Sequence, residues 1–207
     1  MEILMVHDKT VYQDDNQTEE KKQENPPLLD KMLKTRTVLI SGEINKELAE
    51  RVVRQLIILE QEGDEPIRVF IDSPGGDADA GFAIFDTIRF VKPEVHVVGI
   101  GLVASAGALI LLAGARNRRY AFPNSHYLIH QPLSGIRGVA TDIEIHAREI
   151  EKMRDRINKL ISDETGKPVE QVEKDTDRDY WLSAEEAIEY GLVSRIIRHR
   201  SELEDNS

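Results

Sequence analysis

The chain reads Val95-His-Val-Val-Gly-Ile-Gly101 and, shortly afterwards, Ser105-Ala-Gly-Ala-Leu-Ile-Leu-Leu-Ala113. The first segment is β-branched and punctuated by glycine, as buried strands are, whereas the second is an apolar run typical of a buried helix. The uncharged stretch from Val95 to Ala115 is followed by three arginines, so it also resembles a membrane span with a basic flank. The change in character at Ser105 favours a strand that breaks into a helix.

Strands and helices alternate on both sides of this stretch. Predicted strands are Thr37-Val-Leu-Ile-Ser41 and Ile67-Arg-Val-Phe-Ile-Asp72. Between them, apolar residues recur with helical spacing from Asn45, a favoured N-cap, to Gly63. A further helix is predicted around Phe82. This alternation predicts an α/β domain with a mainly parallel sheet, whose functional loops lie at the carboxyl ends of the strands.

The ends of the chain differ from this central part. Residues 1–34 are rich in charges, Gln and Asn and predict a mobile N-terminal arm, followed by one domain over residues 35–200 and a short tail over residues 201–207. Within the domain, residues 140–164 predict one long helix whose charges alternate in sign. This helix is too polar for the core, so we expect it to project and meet partners.

Composition excludes several classes of function. The 27 basic against 38 acidic residues give a net charge of −11, which argues against binding nucleic acid. The absence of cysteine excludes disulfides, thiolate nucleophiles and cysteine-based zinc sites, and we expect no metal. The N-terminus has no basic segment followed by an apolar core, so a cytoplasmic protein with no membrane association is the simplest interpretation.

A glycine-rich loop follows the second predicted strand and precedes a helix. It reads Ser73-Pro-Gly-Gly-Asp77, and its glycines allow backbone N–H groups to face a ligand at the positive end of a helix. Such a loop suits an oxyanion or a phosphate. No Gly-Lys-Ser/Thr follows, so it is not a phosphate loop of the usual kind. The alternative is an ordinary turn.

Ser105 is the candidate nucleophile. It lies where a strand becomes a helix, and its small neighbours leave the hydroxyl open. The alternative is a serine packed in a contact of small residues. The surrounding sequence also lacks the Gly-x-Ser-x-Gly motif of the α/β hydrolases.

Among the six histidines, His130 is the best candidate for a general base. It ends an apolar strand just before a turn, where an imidazole can serve a serine. Three carboxylates, Asp175, Asp177 and Asp179, follow later in the chain. Any of them could orient the imidazole, and a solvated acidic turn is the alternative, so local sequence does not choose among them.

Five short motifs occur together in the chain: Ser73-Pro-Gly-Gly76, Ala104-Ser105 with Gly107-Ala108, Ile129-His-Gln-Pro-Leu133, Ala140-Thr-Asp-Ile-Glu-Ile145 and Asp175-Thr-Asp-Arg-Asp179. In this order and spacing they resemble the ATP-dependent Clp protease proteolytic subunit family, over residues 37–198. The resemblance implies the crotonase-like (ClpP/crotonase) α/β fold, a mainly parallel sheet with helices and a projecting handle helix over residues 140–164.

The resemblance also implies a serine endopeptidase with a Ser-His-Asp triad. Ser105 would be the nucleophile, His130 the general base and then the general acid, and Asp179 the carboxylate that fixes the imidazole tautomer. The backbone N–H groups of Gly75 and Ala106 would form the oxyanion hole.

Substrate and assembly contacts follow from the same resemblance. Gly76 with Asp77, and Pro132 with Leu133, resemble the strands that hold an extended substrate peptide by β-augmentation, which reads the backbone and gives broad side-chain specificity. Arg178 matches a position of contact between two stacked rings.

The family implies two stacked heptameric rings that enclose the active sites. An AAA+ Clp unfoldase would dock on the ring and deliver unfolded polypeptide, with ATP bound by that partner, so this chain needs no cofactor. The segment before Thr37 differs from the family's usual start and is similar to that of second paralogues, which indicates a mixed complex with a paralogous Clp subunit as an alternative to a homo-oligomer. Asp72 replaces the usual Asn and adds a carboxylate near the glycine loop.

Two other functions compete with a peptidase. The first is a scaffold subunit of a mixed complex, inactive or activated by its partner, because triad residues in place do not prove their alignment. The second is an acyl-CoA hydratase or thioesterase, since the crotonase superfamily shares the fold and its backbone oxyanion hole. It would not explain why Ser105 and His130 both fall on peptidase positions.

Overall fold

The computed structural model describes residues 26–203, and its sheet contains seven strands. The strands are β1 (Thr37–Ser41), β2 (Ile67–Ser73), β3 (Val95–Ala104), β4 (Arg119–Ala121), β5 (His126–Ile129), β6 (Tyr180–Ser183) and β7 (Arg195–Ile196). The helices are α1 (Pro26–Lys34), α2 (Lys46–Glu62), α3 (Ala78–Phe90), α4 (Ala106–Leu111), α5 (Ala140–Thr165), α6 (Val169–Thr176) and α7 (Ala184–Tyr190), with short 3-10 helices at Arg116–Arg118 and Arg200–Leu203.

The sheet is mainly parallel, which confirms the predicted α/β class. Its main path runs β1-β2-β3-β4-β7, and every neighbour along it is parallel. β5 pairs with β3 in parallel as a branch, and β6 pairs with β5 antiparallel. The helices that connect the parallel strands cover the sheet, as crossover connections require.

Local sequence signals account for where several helices begin and end. The side chain of Asn45 accepts a hydrogen bond from the backbone N–H of Leu48, and α2 ends at Gly63, as predicted. Ser183 and Glu186 form a reciprocal capping box at the start of α7, and Gly191 ends that helix in the left-handed conformation.

Strand β3 and helix α4 confirm that the uncharged stretch breaks at Ser105. The strand continues to Ala104, beyond the predicted end at Gly101, because its register on β2 shifts: Ile71 pairs with Gly99, but Ser73 pairs with Val103. The first half of β3 therefore pairs with β4 and the second half with β5. Among the helices of residues 26–203, none combines the length with the low charge and high hydropathy that a membrane span requires.

The carboxylate of Asp72 has a structural partner at this irregularity. Its Oδ1 accepts a hydrogen bond from the backbone N–H of Leu102 at 3.0 Å, within the part of β3 where the register shifts. A Cβ at Gly101, which has φ +54°, would lie 2.6 Å from the same oxygen. Asp72 thus stabilises the irregular part of β3 through a backbone contact.

Helix α5 matches the predicted handle to within one residue at its end. Its first ten residues are exposed or nearly so, and its buried residues are Ile157, Asn158 and Ile161. The helix therefore projects from the domain at its N-terminal end and joins the core at its C-terminal end.

The structure describes part of the predicted arm and part of the predicted tail. Residues 26–34 form α1, in which Leu29, Met32 and Leu33 are half-buried, and Leu33 packs against the core. Their spacing gives the helix an apolar face. The remaining arm residues, 1–25, lie outside the described residues. At the other end, Leu203 is buried in a 3-10 helix, and residues 204–207 are not described.

Candidate active site

Ser105 has a strained backbone at the junction of β3 and α4. Its φ of 54° and ψ of −119° are unusual for any residue other than glycine. Its N–H donates to the carbonyl of Leu128 at 2.9 Å, which fixes the junction to β5. Strain of this size persists only where the surrounding structure imposes it, and it commonly marks functional sites.

The glycine loop packs directly against Ser105. Gly75 has φ +97°, and a Cβ there would lie 2.6 Å from Cβ and 3.2 Å from Oγ of Ser105. The buried hydroxyl of Ser73 holds the loop, since it donates to the carbonyl of Gly42 at 2.6 Å and accepts from the N–H of Gly75 at 3.1 Å. Only glycine fits at position 75 without moving the serine.

The backbone donors around Ser105 differ in availability. The N–H of Gly75 is occupied by Ser73, and Gly75 does not line the cleft beside Ser105. Gly76 and Ala106 do line it, and neither of their N–H groups makes a hydrogen bond within residues 26–203. In this conformation the N–H groups of Gly76 and Ala106 are therefore free to meet a ligand, whereas that of the expected donor Gly75 is occupied.

His130 and Asp179 meet because of strand register. Ile129 of β5 pairs with Tyr180 of β6 in antiparallel fashion, so the next opposed pair beyond the ladder is His130 with Asp179. Nδ1 of His130 lies 3.2 Å from Oδ1 of Asp179. The imidazole is 13% exposed and the carboxylate 62%.

The other two acidic residues have different partners. Oδ2 of Asp175 accepts from the hydroxyl of Tyr190 at 2.9 Å, and this hydrogen bond adds to burial in raising the pKa of Tyr190 above its ordinary value. Asp177 contacts the side chain of Gln131. The structure thus places Asp179 beside His130, a choice that the local sequence left open.

Gln131 is a site residue that sequence reasoning missed. Its N–H donates to the carbonyl of Thr176 at 2.6 Å, and its Nε2 donates to the carbonyl of Asp177 at 2.6 Å. It therefore ties the segment after His130 to the segment before Asp179. Its position directly after His130 in the His-Gln-Pro motif was the available signal.

Ser105 and His130 line the same cleft, whose volume is about 430 Å³. Within residues 26–203 no hydrogen bond joins the Ser105 hydroxyl to the imidazole. The cleft also has an apolar part, formed by helices α4 and α5 through Leu109, Leu112, Ile157 and Ile161.

The segments expected to hold substrate line this cleft but are not strands. Gly76 makes one isolated bridge to Ile44, and residues 130–137 have no regular structure. A strand needs a paired neighbour, and nothing in the described chain pairs with Pro132 or Leu133. Leu133 is 82% exposed.

Arg178 projects into solvent next to the site. Its side chain is 93% exposed, and its nearest ionic contact is with Asp177 at 4.0 Å. No cluster of three or more potential metal ligands occurs in the part of the chain that the structure describes.

Comparison with known proteins identifies the family. A family model described as Clp protease matches residues 20–200. The ATP-dependent Clp protease proteolytic subunit 2 of Treponema denticola is 58% identical over 193 residues, which are 91% of this chain and 96% of the relative. The subunit 3 of Rhizobium etli is 52% identical over 172 residues, 83% of this chain and 89% of the relative.

A solved structure leads to the same family. A point mutant of ClpP1 from Listeria monocytogenes matches with a TM-score of 0.80 and 52% identity, and the match covers 85% of this chain and 99% of that one. This likeness confirms the expected crotonase-like α/β fold. The chain belongs to the Clp protease family.

Proposed function

We propose that the chain is a serine endopeptidase subunit that cleaves unfolded polypeptide. The observation that carries this proposal is the strained backbone of Ser105, pressed against Gly75 in the same cleft as the His130–Asp179 pair. A packed structural serine would not need this conformation, because a relaxed strand-to-helix turn would serve it equally well.

The residues divide the reaction in the usual way for acyl transfer. Ser105 Oγ attacks the scissile carbonyl, and its proton passes to Nε2 of His130. Asp179, on the Nδ1 side, stabilises the imidazolium. His130 then protonates the leaving amine, and a water attacks the acyl-enzyme with His130 again as base. The first step requires the Ser105 hydroxyl and the imidazole to approach within hydrogen-bonding distance.

The oxyanion of the tetrahedral intermediate is assigned to backbone N–H groups. Ala106 offers the first free N–H of α4, at the positive end of the helix, and Gly76 offers the other. Gly75 shapes the loop, since its own N–H is held by Ser73. Losing one such donor typically costs about 3 kcal/mol of transition-state stabilisation.

The substrate is an extended peptide between two segments of the cleft. Gly76 with Asp77 on one side and Pro132 with Leu133 on the other offer backbone groups to it, by β-augmentation. The apolar part of the cleft takes the side chain that precedes the scissile bond. Binding through the backbone leaves the other positions broadly tolerant.

The active particle is two stacked heptameric rings, built from this chain alone or mixed with a paralogous Clp subunit. The exposed part of α5 carries apolar side chains, including Ile143 and Ile145, of which Ile145 is 54% exposed. Together with Arg178 these fit a contact between rings. Enclosure would confine proteolysis to chains that enter the particle.

An AAA+ Clp unfoldase is the proposed delivery partner, and ATP is bound by that partner, so the peptidase subunit needs no cofactor. Support comes from an aromatic contact between Phe70, which is half-buried in β2, and Phe122, which is 40% exposed; their rings lie 6.3 Å apart. Apolar surface of this kind suits a protein partner better than nucleic acid. We place the assembly in the cytoplasm.

Labelling with a fluorophosphonate serine probe tests the proposal. Wild type and Ser105→Ala are compared, and sedimentation of the same samples gives the assembly size. We expect only wild type to label, in a large assembly. A wild type that assembles into rings but does not label would refute independent catalysis.

One observation favours a second candidate, a subunit activated by its partner. The Ser105 hydroxyl and His130 are not hydrogen-bonded within residues 26–203, so the triad of the isolated chain is incomplete. Labelling that appears only after a paralogous Clp subunit is added would support this candidate. Nothing in the site favours acyl-CoA chemistry.

A further inference from the structure

One face of the handle helix continues beyond the active-site cleft. Ile157 and Ile161 line the cleft, and Glu164 follows them on the same face, because residues three, four and seven apart lie one above another on a helix. The carboxylate of Glu164 is 14% exposed. The apolar side of the cleft formed by α5 is therefore followed, on the same helix face, by the largely buried carboxylate of Glu164.

Arg119 is the first partner of that charge, and its side chain is fully buried. Its Nη2 contacts the Glu164 carboxylate, and its Nη1 donates to the Glu164 carbonyl at 3.2 Å. Its Nε donates to the carbonyl of Gly114 at 2.7 Å, just beyond α4. One guanidinium thus joins the ends of α4 and α5.

Arg89 is the second partner and repeats this connection. Its Nη2 lies 2.6 Å from the other carboxylate oxygen of Glu164, and it also donates to the carbonyl of Leu112 at 3.1 Å. Its Nε donates to the carbonyl of Ala113 at 3.3 Å. Arg89 belongs to α3, so three helices meet at one carboxylate.

Electrostatics favour this arrangement. Both α4 and α5 present the negative ends of their dipoles here, and guanidinium groups are stabilised at such ends. Burial lowers the pKa of Arg119, and the nearby Glu164 carboxylate opposes that shift. A buried charge without its partner is strongly destabilising, so the pair holds its geometry tightly.

We propose that Glu164 is a specificity-determining positioning residue. By bridging Arg89 and Arg119 it fixes the spacing between α4 and α5, and so the width of the apolar pocket formed by Leu109 and Leu112 on one side and Ile157 on the other. This inference rests on the proposed peptidase function. The cluster of Glu164, Arg89 and Arg119 lies outside the cleft, yet it would determine which side chain is accepted before the scissile bond.

The test compares Glu164→Gln with Asp163→Asn. Both changes remove one negative charge from adjacent residues, but the Asp163 side chain is exposed and, among residues 26–203, its ion pair is with Lys159. Each variant is assayed as the assembled protein with two fluorogenic peptides that differ in leucine or alanine before the scissile bond. We expect Glu164→Gln to lower the leucine-to-alanine ratio of kcat/KM about tenfold, because pocket contacts of this size govern such discrimination. Asp163→Asn should leave the ratio unchanged.

Arg89→Gln is the second variant, in case Glu164→Gln does not fold. Arg89 is 42% exposed and leaves the Arg119–Glu164 pair in place, so we expect a smaller drop in the same ratio. Labelling by a small fluorophosphonate, which does not fill the pocket, should stay at the wild-type rate in both variants. An unchanged ratio in folded variants would overturn the inference.

Failure of the proposed function would have a different signature, namely a wild type that neither labels nor cleaves. Hydrogen exchange then tests the positioning directly. We expect the amides of residues 157–161 to exchange faster in Glu164→Gln than in Asp163→Asn. Equal protection would overturn the positioning role whether or not the chain is catalytic.

Discussion

The two halves of the candidate active site are held in different ways. Ser105 directly follows the central strand β3, and its strained backbone is fixed by Leu128 and by the glycine loop. His130 and Asp179 lie just beyond the end of a two-stranded ladder, and Asp179 is 62% exposed. The nucleophile and its glycine loop are thus positioned by the fold of one chain, and we call them the rigid half of the site. The base and its carboxylate stand at an edge where irregular backbone begins, and we call them the edge half. Alignment of the triad depends mainly on that edge.

Removing the Ser105 hydroxyl has the largest expected effect on activity and tests whether the rigid half of the site is catalytic. Ser105→Ala should reduce kcat about a million-fold, as loss of a triad serine does elsewhere, with the fold and assembly retained. Peptide hydrolysis and probe labelling measure the loss. Ser201→Ala, a change at an exposed serine, is the control. Residual activity near wild type would remove Ser105 from the mechanism.

Asp179→Asn tests the edge half and has the next largest expected effect. An amide cannot hold the imidazole in the required tautomer, and the equivalent change in a serine protease lowers kcat about ten-thousand-fold. Asp177→Asn is the matched control, since it makes the same change in charge two residues away. Steady-state kinetics give kcat for both variants. If both lose activity equally, the assignment of Asp179 over Asp177 is wrong.

Gly75→Ala tests how closely the glycine loop packs against Ser105 in the rigid half. The new Cβ would lie 2.6 Å from Cβ of Ser105 and 2.9 Å from the Ala104 carbonyl oxygen, so the serine must move. A displacement of this kind costs about 100-fold in kcat. Gly42→Ala serves as control because it has a similar positive φ but nothing within 4 Å of the new Cβ, which separates backbone strain from the clash. Equal losses would mean that strain alone accounts for the effect.

The same division explains what could be predicted from the sequence. The ends of helices and strands, including the one that carries Ser105, are encoded locally: Asn45 and Gly63 mark the ends of a helix, and the change at Ser105 marks the end of a strand. The register shift between Gly99 and Val103 was not predicted, because a strand buried on both faces has no alternation that fixes its register.

The edge half depends on contacts between distant segments, which local sequence does not encode. Residues 130 and 179 become neighbours only through the pairing of β5 with β6, so local sequence did not choose among the three carboxylates and only the family resemblance indicated Asp179. Glu164 was also missed, because one more acidic residue in a charged helix gives no sign of a buried arginine partner. The apolar face of α1 was overlooked because the charges before it dominate the composition of the arm.

Gln131→Ala has the smallest expected effect on activity and tests how the segments that carry His130 and Asp179 are held together. The change removes the hydrogen bond from Nε2 to the Asp177 carbonyl but keeps the backbone bond from residue 131 to Thr176. A side-chain hydrogen bond contributes about 1 kcal/mol, so we expect about a fivefold loss in kcat with little change in KM. The loss reflects a His130 that is aligned for a smaller fraction of the time.

Gln171→Ala is the matched control for this change, since Gln171 makes a comparable exposed hydrogen bond to Asp175 at 2.7 Å, away from the triad. Labelling of Ser105 should slow in Gln131→Ala and stay unchanged in Gln171→Ala. If assembly with a second ring or a paralogous subunit restores the rate of Gln131→Ala, neighbouring subunits complete the edge half. A loss that persists in the full assembly would instead show that one chain alone must order its own base.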